Sequence, residues 1–190
     1  MKKFVIMSAA LVVFAGLASA ELLLNGDFEQ TLDVGWRETT YQMAGTFSFD
    51  RWDTLGQPAP GYAARSYKYL AKFAALTQTV PVSNAHLTLG FDARFRIGGG
   101  SSTCWPVAAF IIRYRDISGI ELGNTKYYMH DAYATWANSD TAHLIDVSSV
   151  AGWQNYALDL GQEVTANLPG VNPDLVRNVS IQIYAYDNGT

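Results

Sequence analysis

The chain has 190 residues, with 13 Lys and Arg against 17 Asp and Glu, a formal net charge of −4. An acidic chain without a Lys/Arg cluster lacks the electrostatic footprint of a nucleic-acid-binding protein or of a protein held on an anionic membrane. One cysteine, Cys104, cannot form an internal disulfide, so we expect a half-buried thiol in a loop.

The first twenty residues have the features of a secretory signal peptide. Lys2 and Lys3 precede an apolar run over residues 4–17, and Ala18-Ser19-Ala20 follows. A short positive segment, an apolar core of about 7–15 residues and an A-x-A site mark such peptides, whereas a membrane-spanning helix needs ~20 apolar residues. We therefore predict export from a bacterium, cleavage after Ala20, and a mature chain over residues 21–190 that does not insert into a membrane.

The mature chain alternates apolar and polar residues with a period of two. Odd positions from Leu87 to Ile97 are apolar and even positions are polar or Gly, which is typical of a strand with one buried face. The same alternation returns from Val179 to Tyr186. Other strand-length runs are Glu21–Leu24, Gly45–Asp50, Ala64–Phe73, Leu76–Val82, the more fully buried Pro106–Tyr114, and Trp153–Leu160.

Turn-forming residues separate these runs, and a helical pattern is found only at Pro173–Val176. Gly and Pro interrupt regular structure because Gly allows positive φ and Pro fixes φ. The predicted turns are Gly56–Gly61, Ser83-Asn84, Ser118-Gly119 and a hairpin tip at Gly98–Ser102. Many short strands favour a sandwich or barrel, so we predict one all-β domain over residues 21–190, an antiparallel β-sandwich.

The start of the mature chain carries a family resemblance. Residues 21–29 read Glu-Leu-Leu-Leu-Asn-Gly-Asp-Phe-Glu, and further blocks follow at Gly35-Trp36, Leu76–Val82, Leu87–Arg94, Gly152–Tyr156 and Val179–Ile183. In these blocks the chain resembles carbohydrate-binding modules of the galactose-binding-like jelly-roll group, of the type of families 4, 9 and 22. The resemblance implies a jelly-roll sandwich and a polysaccharide or glycan as the partner.

The resemblance also implies a structural calcium ion near this start. Carried over, the ligands are the Glu29 side chain and the Asp27 carbonyl, among the six to eight oxygens that Ca²⁺ prefers. The group usually ends on a strand whose aspartate completes the site, whereas this sequence ends on a turn signal at Asp187-Asn188-Gly189-Thr190. Either the sequence is a fragment or the domain lacks its closing strand. An equal alternative to calcium binding is that Glu29 is an ordinary surface carboxylate or a cap.

Exposed aromatic and polar residues predict a binding surface. Modules of this kind stack aromatic rings on sugar rings, and polar groups beside them bind the hydroxyls; such composition is typical of recognition surfaces. Each tyrosine could instead be a core residue that contacts no ligand, because Tyr is common in strands for structural reasons alone. The predicted ligand-binding residues are Asp92, Arg94, Trp105, Tyr128, Gln182, Tyr184 and Tyr186.

No pattern of residues points to catalysis. The three histidines lack zinc-site spacing, no Gly-x-Ser-x-Gly elbow occurs, and no two carboxylates stand out as a glycoside-hydrolase pair. We predict a secreted, non-catalytic carbohydrate-binding module. One alternative is a cell-surface or matrix module that uses the same fold for protein contacts, and another is a jelly-roll polysaccharide lyase or hydrolase.

Overall fold

The computed structural model describes residues 22–41, 45–52, 61–69 and 72–188. The predicted signal peptide and its cleavage point lie outside these residues. The described residues form ten strands and one α-helix, besides a short 3-10 helix at Pro173–Leu175. The elements are β1 (Arg37–Tyr41), β2 (Thr46–Trp52), β3 (Ala63–Tyr69), β4 (Phe73–Pro81), β5 (Thr88–Ala93), β6 (Pro106–Arg115), β7 (Glu121–His130), β8 (Ala142–Asp146), β9 (Gln154–Asp159), α1 (Leu160–Asn167) and β10 (Asn178–Asp187).

The first layer is a six-stranded sheet in the order β1-β4-β10-β6-β7-β8. Neighbouring strands of this sheet are antiparallel, except β7 and β8, which are parallel. The central strand is β10, where Ile183 lies opposite Leu76 of β4 and Phe110 of β6. These three side chains belong to the main core, so they define the inner face of the sheet. Alternate residues point to the opposite side, the outer face.

The second layer consists of two strand pairs, β2–β3 and β5–β9. Phe91 of β5 stacks on Phe110 with ring centroids 3.9 Å apart, while Phe49 and Ala64 pack against the same core from β2 and β3. The chain crosses between the layers repeatedly, as β1, β2–β3, β4, β5, β6–β8, β9 and β10, in the manner of a jelly roll. The predicted antiparallel β-sandwich is confirmed.

Strand β6 is buried on both faces, which explains why its sequence is almost entirely apolar. Phe110 and Ile112 belong to the main core on the inner face. Val107 and Ile111 are just as deeply buried, but on the outer face, where aromatic side chains including Trp105 cover them. The prediction of a fully buried strand in this region is confirmed, and its cause is a second apolar cluster outside the sandwich.

Helix α1 corrects the prediction that a strand continues to Leu160. The strand β9 ends at Asp159, whose carboxylate accepts the backbone N–H of Gln162 at 2.9 Å and caps the helix. Leu160 and Val164, four residues apart, are the buried face of the helix. Eight residues are too few for a clear helical period in the sequence. Within the described ranges, no helix is long and apolar enough to cross a membrane.

Three loops complete the comparison with the sequence. Residues 22–24 are not a strand; the backbone N–H and carbonyl of Leu24 instead bond the Gln78 side chain, at 2.6 and 2.8 Å. The glycine-rich segment at 98–102 lies in the crossover from β5 to β6, not at a hairpin tip. Cys104 is free and half-buried in the same crossover, as predicted.

Candidate functional site

The outer face of the six-stranded sheet carries a row of aromatic rings, which we call the aromatic belt. Strand register places its members side by side, because Tyr41 of β1 lies opposite Phe73 of β4, and Phe73 lies opposite Tyr186 of β10. Tyr184 is two residues away on β10 and therefore on the same face. The belt consists of Tyr41, Phe73, Tyr184 and Tyr186 from the strands nearest the β1 edge, Tyr128 from β7, Trp105, and Trp136.

The rings contact one another across the strands. The centroids of Tyr41 and Phe73 are 6.3 Å apart, and Phe73 lies 5.8 Å from Tyr184, both pairs near-parallel. Tyr184 and Tyr186 stack at 6.0 Å. The neighbours of Tyr184 on the adjacent strands are alanines, Ala75 and Ala109, so no bulky side chain stands beside the ring in its own row.

Trp136 closes the belt at the β7 side. This residue belongs to the segment between β7 and β8, and its ring lies 6.0 Å from Tyr128, 5.9 Å from Tyr186 and 6.4 Å from Tyr184. Trp105 and Tyr128 are buried, with exposed fractions of 7% and 9%, whereas Tyr184, Tyr186 and Trp136 are half-buried and Tyr41 is exposed. The belt therefore has a closed floor and several rings that are partly open to solvent.

Hydrogen-bonding side chains form the next row of the same face. Gln182 donates to the Thr77 hydroxyl at 3.1 Å and accepts from the Arg113 guanidinium at 3.1 Å. Arg113 also bonds Glu121 at 2.7 Å, so its charge is largely balanced within the protein. Lys126 lies with its amine 4.7 Å from the centre of the Trp136 ring, a cation–π distance. The row can donate and accept hydrogen bonds, and it also carries the ammonium group of Lys126.

Burial shifts the titration of the groups on this face. Loss of water contact raises the pKa of Tyr184 to about 12, and burial raises the pKa of Tyr128 as well. Burial also lowers the pKa of Lys126, an effect that the charge of nearby Arg113 increases. The tyrosine hydroxyls therefore stay protonated, and able to donate, throughout the neutral pH range.

Five of the seven sequence-predicted binding residues lie together on the outer face: Trp105, Tyr128, Gln182, Tyr184 and Tyr186. Asp92 and Arg94 do not. They belong to β5 and the residues just after it, in the second layer, where Phe91 points inward onto Phe110 and alternation turns Asp92 and Arg94 outward. They thus belong to the other layer than the belt, although a cleft lined by Asp92 and Arg94 also touches Tyr184 and Tyr186. The grouping of all seven residues in one site stays a prediction.

Three belt residues were not predicted from the sequence. Tyr41 and Phe73 lie at strand ends, and only the register between β1, β4 and β10 shows that they continue the row. Trp136 comes from a loop with no periodicity, so its position depends on tertiary packing. A tryptophan in a segment without strand or helix periodicity is the signal that could have singled it out.

The turn predicted to bind calcium is held by an arginine in the structure. The Arg51 guanidinium donates to the carbonyls of Phe28 and Glu29, the latter at 2.7 Å. Asp27 and Glu29 are both exposed, and the Asp27 carboxylate accepts the Glu29 backbone N–H at 3.2 Å. Among the described residues, no three His, Cys, Asp or Glu side chains gather as metal ligands. This donor set does not fit a calcium ion with six to eight oxygen ligands.

No protein-family description matches the chain, and no curated protein matches it. A tailspike protein 4 enzymatically active domain from bacteriophage CBA120 is similar at 15% identity and a TM-score of 0.47; the match covers 87% of this chain but only 19% of that one. A family 11 carbohydrate-binding module from Clostridium thermocellum, solved with a β-1,3-1,4-mixed-linked tetrasaccharide, is 12% identical, with a TM-score of 0.42 and coverage of 86% and 89%.

The family 11 module of the cellulosomal cellulase Lic26A-Cel5E of the same organism is 11% identical, with a TM-score of 0.39 and coverage of 87% and 90%. The structures similar to this chain thus include carbohydrate-binding modules. The resemblance to families 4, 9 and 22 in particular stays a prediction. At these identities and TM-scores, the likeness carries no conclusion about the ligand of this chain.

Proposed function

We propose that this chain is an exported, non-catalytic module that binds a polysaccharide or glycan on the aromatic belt. The observation that carries the proposal is the row of partly open rings beside a row of hydrogen-bonding side chains. A sugar ring has an apolar C–H face and a polar rim of hydroxyls. Aromatic rings with a few well-placed polar groups match both features.

The length of the belt favours a chain of sugars over a single one. The belt runs from β1 to β7 across the order β1-β4-β10-β6-β7. Neighbouring strands are about 4.8 Å apart, so these five strands span roughly 19 Å. Such a span accommodates several sugar units side by side, and the partner we propose is therefore an extended oligosaccharide or polysaccharide.

The charges of this face favour a neutral glycan over an acidic one. Arg113 is paired with Glu121, and the chain as a whole carries a net charge of −4. Net negative charge repels a polyanion at long range. We therefore propose a neutral polysaccharide.

A non-catalytic role agrees with the state of the carboxylates at this face. Glycoside hydrolysis needs a carboxylic acid with a raised pKa as proton donor. Hydrogen bonds from the side chain and backbone of Ser148 hold the pKa of Asp146 below its ordinary value, and Glu121 is engaged by Arg113 and Asn124. The lowered pKa of Asp146 and the engagement of Glu121 by two side chains support binding rather than proton transfer.

Affinity electrophoresis through gels that contain soluble neutral polysaccharides tests the proposal. We expect retardation of the parent protein by at least one of them, and roughly tenfold weaker retention of Trp136→Ala, equivalent to about 1.4 kcal/mol. Tyr133→Ala is the matched control, because Tyr133 is an exposed ring of the same loop outside the belt. Release of reducing ends or unsaturated products during incubation would instead identify a hydrolase or lyase.

Lack of retardation in every gel would contradict glycan binding and favour the alternative of a structural module at the cell surface. Equal losses in Trp136→Ala and Tyr133→Ala would contradict the belt as the binding site. Thermal melting of both variants shows whether they remain folded.

A further inference from the structure

The second layer of the sandwich contains a cleft between its two strand pairs. Strand β3 lines one side and β5 the other, and the cleft has a volume of about 920 Å³. Its floor is the inner face of the six-stranded sheet, including Ile181, Ile183 and Phe110. The rings of the aromatic belt lie on the outer face of that sheet, although Tyr184 and Tyr186 also line the cleft.

Both walls of the cleft are strand edges. In the part of the chain that the structure describes, β3 pairs only with β2, and β5 only with β9. Trp52 is the one residue of β2 that lines the cleft, and no residue of β9 lines it. The strand edges that face the cleft therefore belong to β3 and β5. A strand edge exposes backbone N–H and carbonyl groups that readily pair with another strand.

The length of the two edges and their chemistry match one kind of occupant. Strands β3 and β5 have 7 and 6 residues, so a strand laid between them would be about 20 Å long. Strand pairing would satisfy both edges, and alternate side chains would point onto the apolar floor. A compact apolar ligand would fill the volume but leave the backbone groups of both edges unpaired.

The rim of the cleft adds a preference of charge. Arg65 bonds Asp50, and Lys68 pairs with Asp187, so these two charges are balanced. Arg94 and Arg96 line the cleft just beyond the end of β5 and are exposed; neither makes an ion pair with another described residue. Carboxylates on the occupant would complement these two guanidinium groups at that end.

We propose that the cleft binds an extended segment of another polypeptide as an added β-strand between β3 and β5. The segment carries apolar side chains at alternate positions and carboxylates at the end that meets Arg94 and Arg96. This inference does not depend on the glycan proposal, because no residue of β3 or β5 belongs to the aromatic belt.

Fluorescence anisotropy with labelled synthetic peptides tests the proposal on the full mature protein. The first probe alternates Thr and Val and ends in two Glu residues, the second ends in two Lys residues, and the third carries a central Pro. We expect binding of the first, about tenfold weaker binding of the second, and none of the third, because Pro cannot donate to the ladder. The double variant Arg94→Glu/Arg96→Glu should reverse the preference between the first two.

Arg37→Glu is the control for a charge reversal, since Arg37 is exposed, does not line the cleft, and lies opposite Thr77 on the outer face of the sheet. Amide hydrogen exchange should show new protection on β3 and β5 when the first peptide binds. The proposal is overturned if the proline peptide binds as tightly as the first peptide, or if no peptide binds. It is also overturned if Arg37→Glu changes the preference between the first two peptides as much as Arg94→Glu/Arg96→Glu does. Protection of both edges in a dimer without peptide would likewise overturn it, since a second copy would then fill the cleft.

Discussion

Tyr184 lies at the centre of the aromatic belt and contacts rings on three sides. Phe73 is 5.8 Å away, Tyr186 6.0 Å and Trp136 6.4 Å, measured between ring centroids. Because this packing removes much of the ring from water, the hydroxyl keeps its proton far above neutral pH. Tyr184 thus offers both a ring face and a hydroxyl donor to a ligand.

The raised pKa of Tyr184 predicts a loss of stability in alkali. The folded protein holds this proton up to about pH 12, whereas the unfolded chain loses it near the ordinary value of 10.0. The unfolded state therefore binds fewer protons in this window, and the free energy of unfolding falls as pH rises through it. Below pH 10.0 the contribution is fully present. Tyr184→Phe should flatten this part of the curve of urea midpoint against pH.

Tyr114 provides the internal reference for that measurement. Its pKa is also raised by burial, and it lies in the main core rather than in the belt. A residual alkaline decline is therefore expected in Tyr184→Phe. Identical declines in the variant and the parent would show that Tyr184 is not buried in solution as the structure has it.

At the scale of elements, a nearly buried ion pair joins the two layers. Lys68 of β3 pairs with Asp187 at the end of β10, and their side chains are 6% and 8% exposed. Burial of two charges has a large desolvation cost, which their mutual attraction offsets only while both are present. The pair therefore holds β3 to the six-stranded sheet beside the cleft.

Loss of one partner should destabilise the protein more than loss of both. Asp187→Ala leaves an uncompensated ammonium in the interior and is expected to lower the free energy of unfolding by about 3–5 kcal/mol. The double variant Lys68→Met/Asp187→Leu should lose much less free energy of unfolding than Asp187→Ala. Urea unfolding of the two single variants and the double variant forms a thermodynamic cycle. Strictly additive losses would contradict a direct interaction between the two side chains.

The turn at residues 25–29 gives a second prediction about an element. Arg51 bonds two carbonyls of this turn and stacks over Tyr62 at 3.2 Å. We expect a chelator to leave the thermal midpoint unchanged, and Arg51→Ala to lower it, because the guanidinium supplies the positive charge here. A midpoint that falls on chelation, and recovers with added Ca²⁺, would restore the calcium site predicted at Asp27 and Glu29.

At the scale of the whole molecule, strand faces could be predicted from the sequence but strand neighbours could not. The alternation along β10 assigns Gln182, Tyr184 and Tyr186 correctly to one face. The alternation along β5 is equally clear, yet periodicity does not tell which layer a strand joins. The sequence therefore groups Asp92 and Arg94 with residues that belong to the other layer.

The remaining differences have physical causes of the same kind. The belt depends on pairings between residues far apart in sequence, such as Phe73 with Tyr186, and on a loop ring that packs from outside the strands. Helix α1 has one cap, and only two of its four buried residues, Leu160 and Val164, carry large apolar side chains, which is too little for a helical period to stand out. Tertiary contacts decide such positions, and one-dimensional patterns do not record them.

Calorimetric titration with an oligosaccharide of the retarding polysaccharide tests the central claim most directly. The parent, Tyr184→Ala and Arg94→Ala should be compared, because these residues belong to different layers and both were candidates from the sequence. We predict about tenfold weaker binding for Tyr184→Ala and unchanged binding for Arg94→Ala. Weakened binding in Arg94→Ala with unchanged binding in Tyr184→Ala would contradict the account and move the glycan site to the second layer.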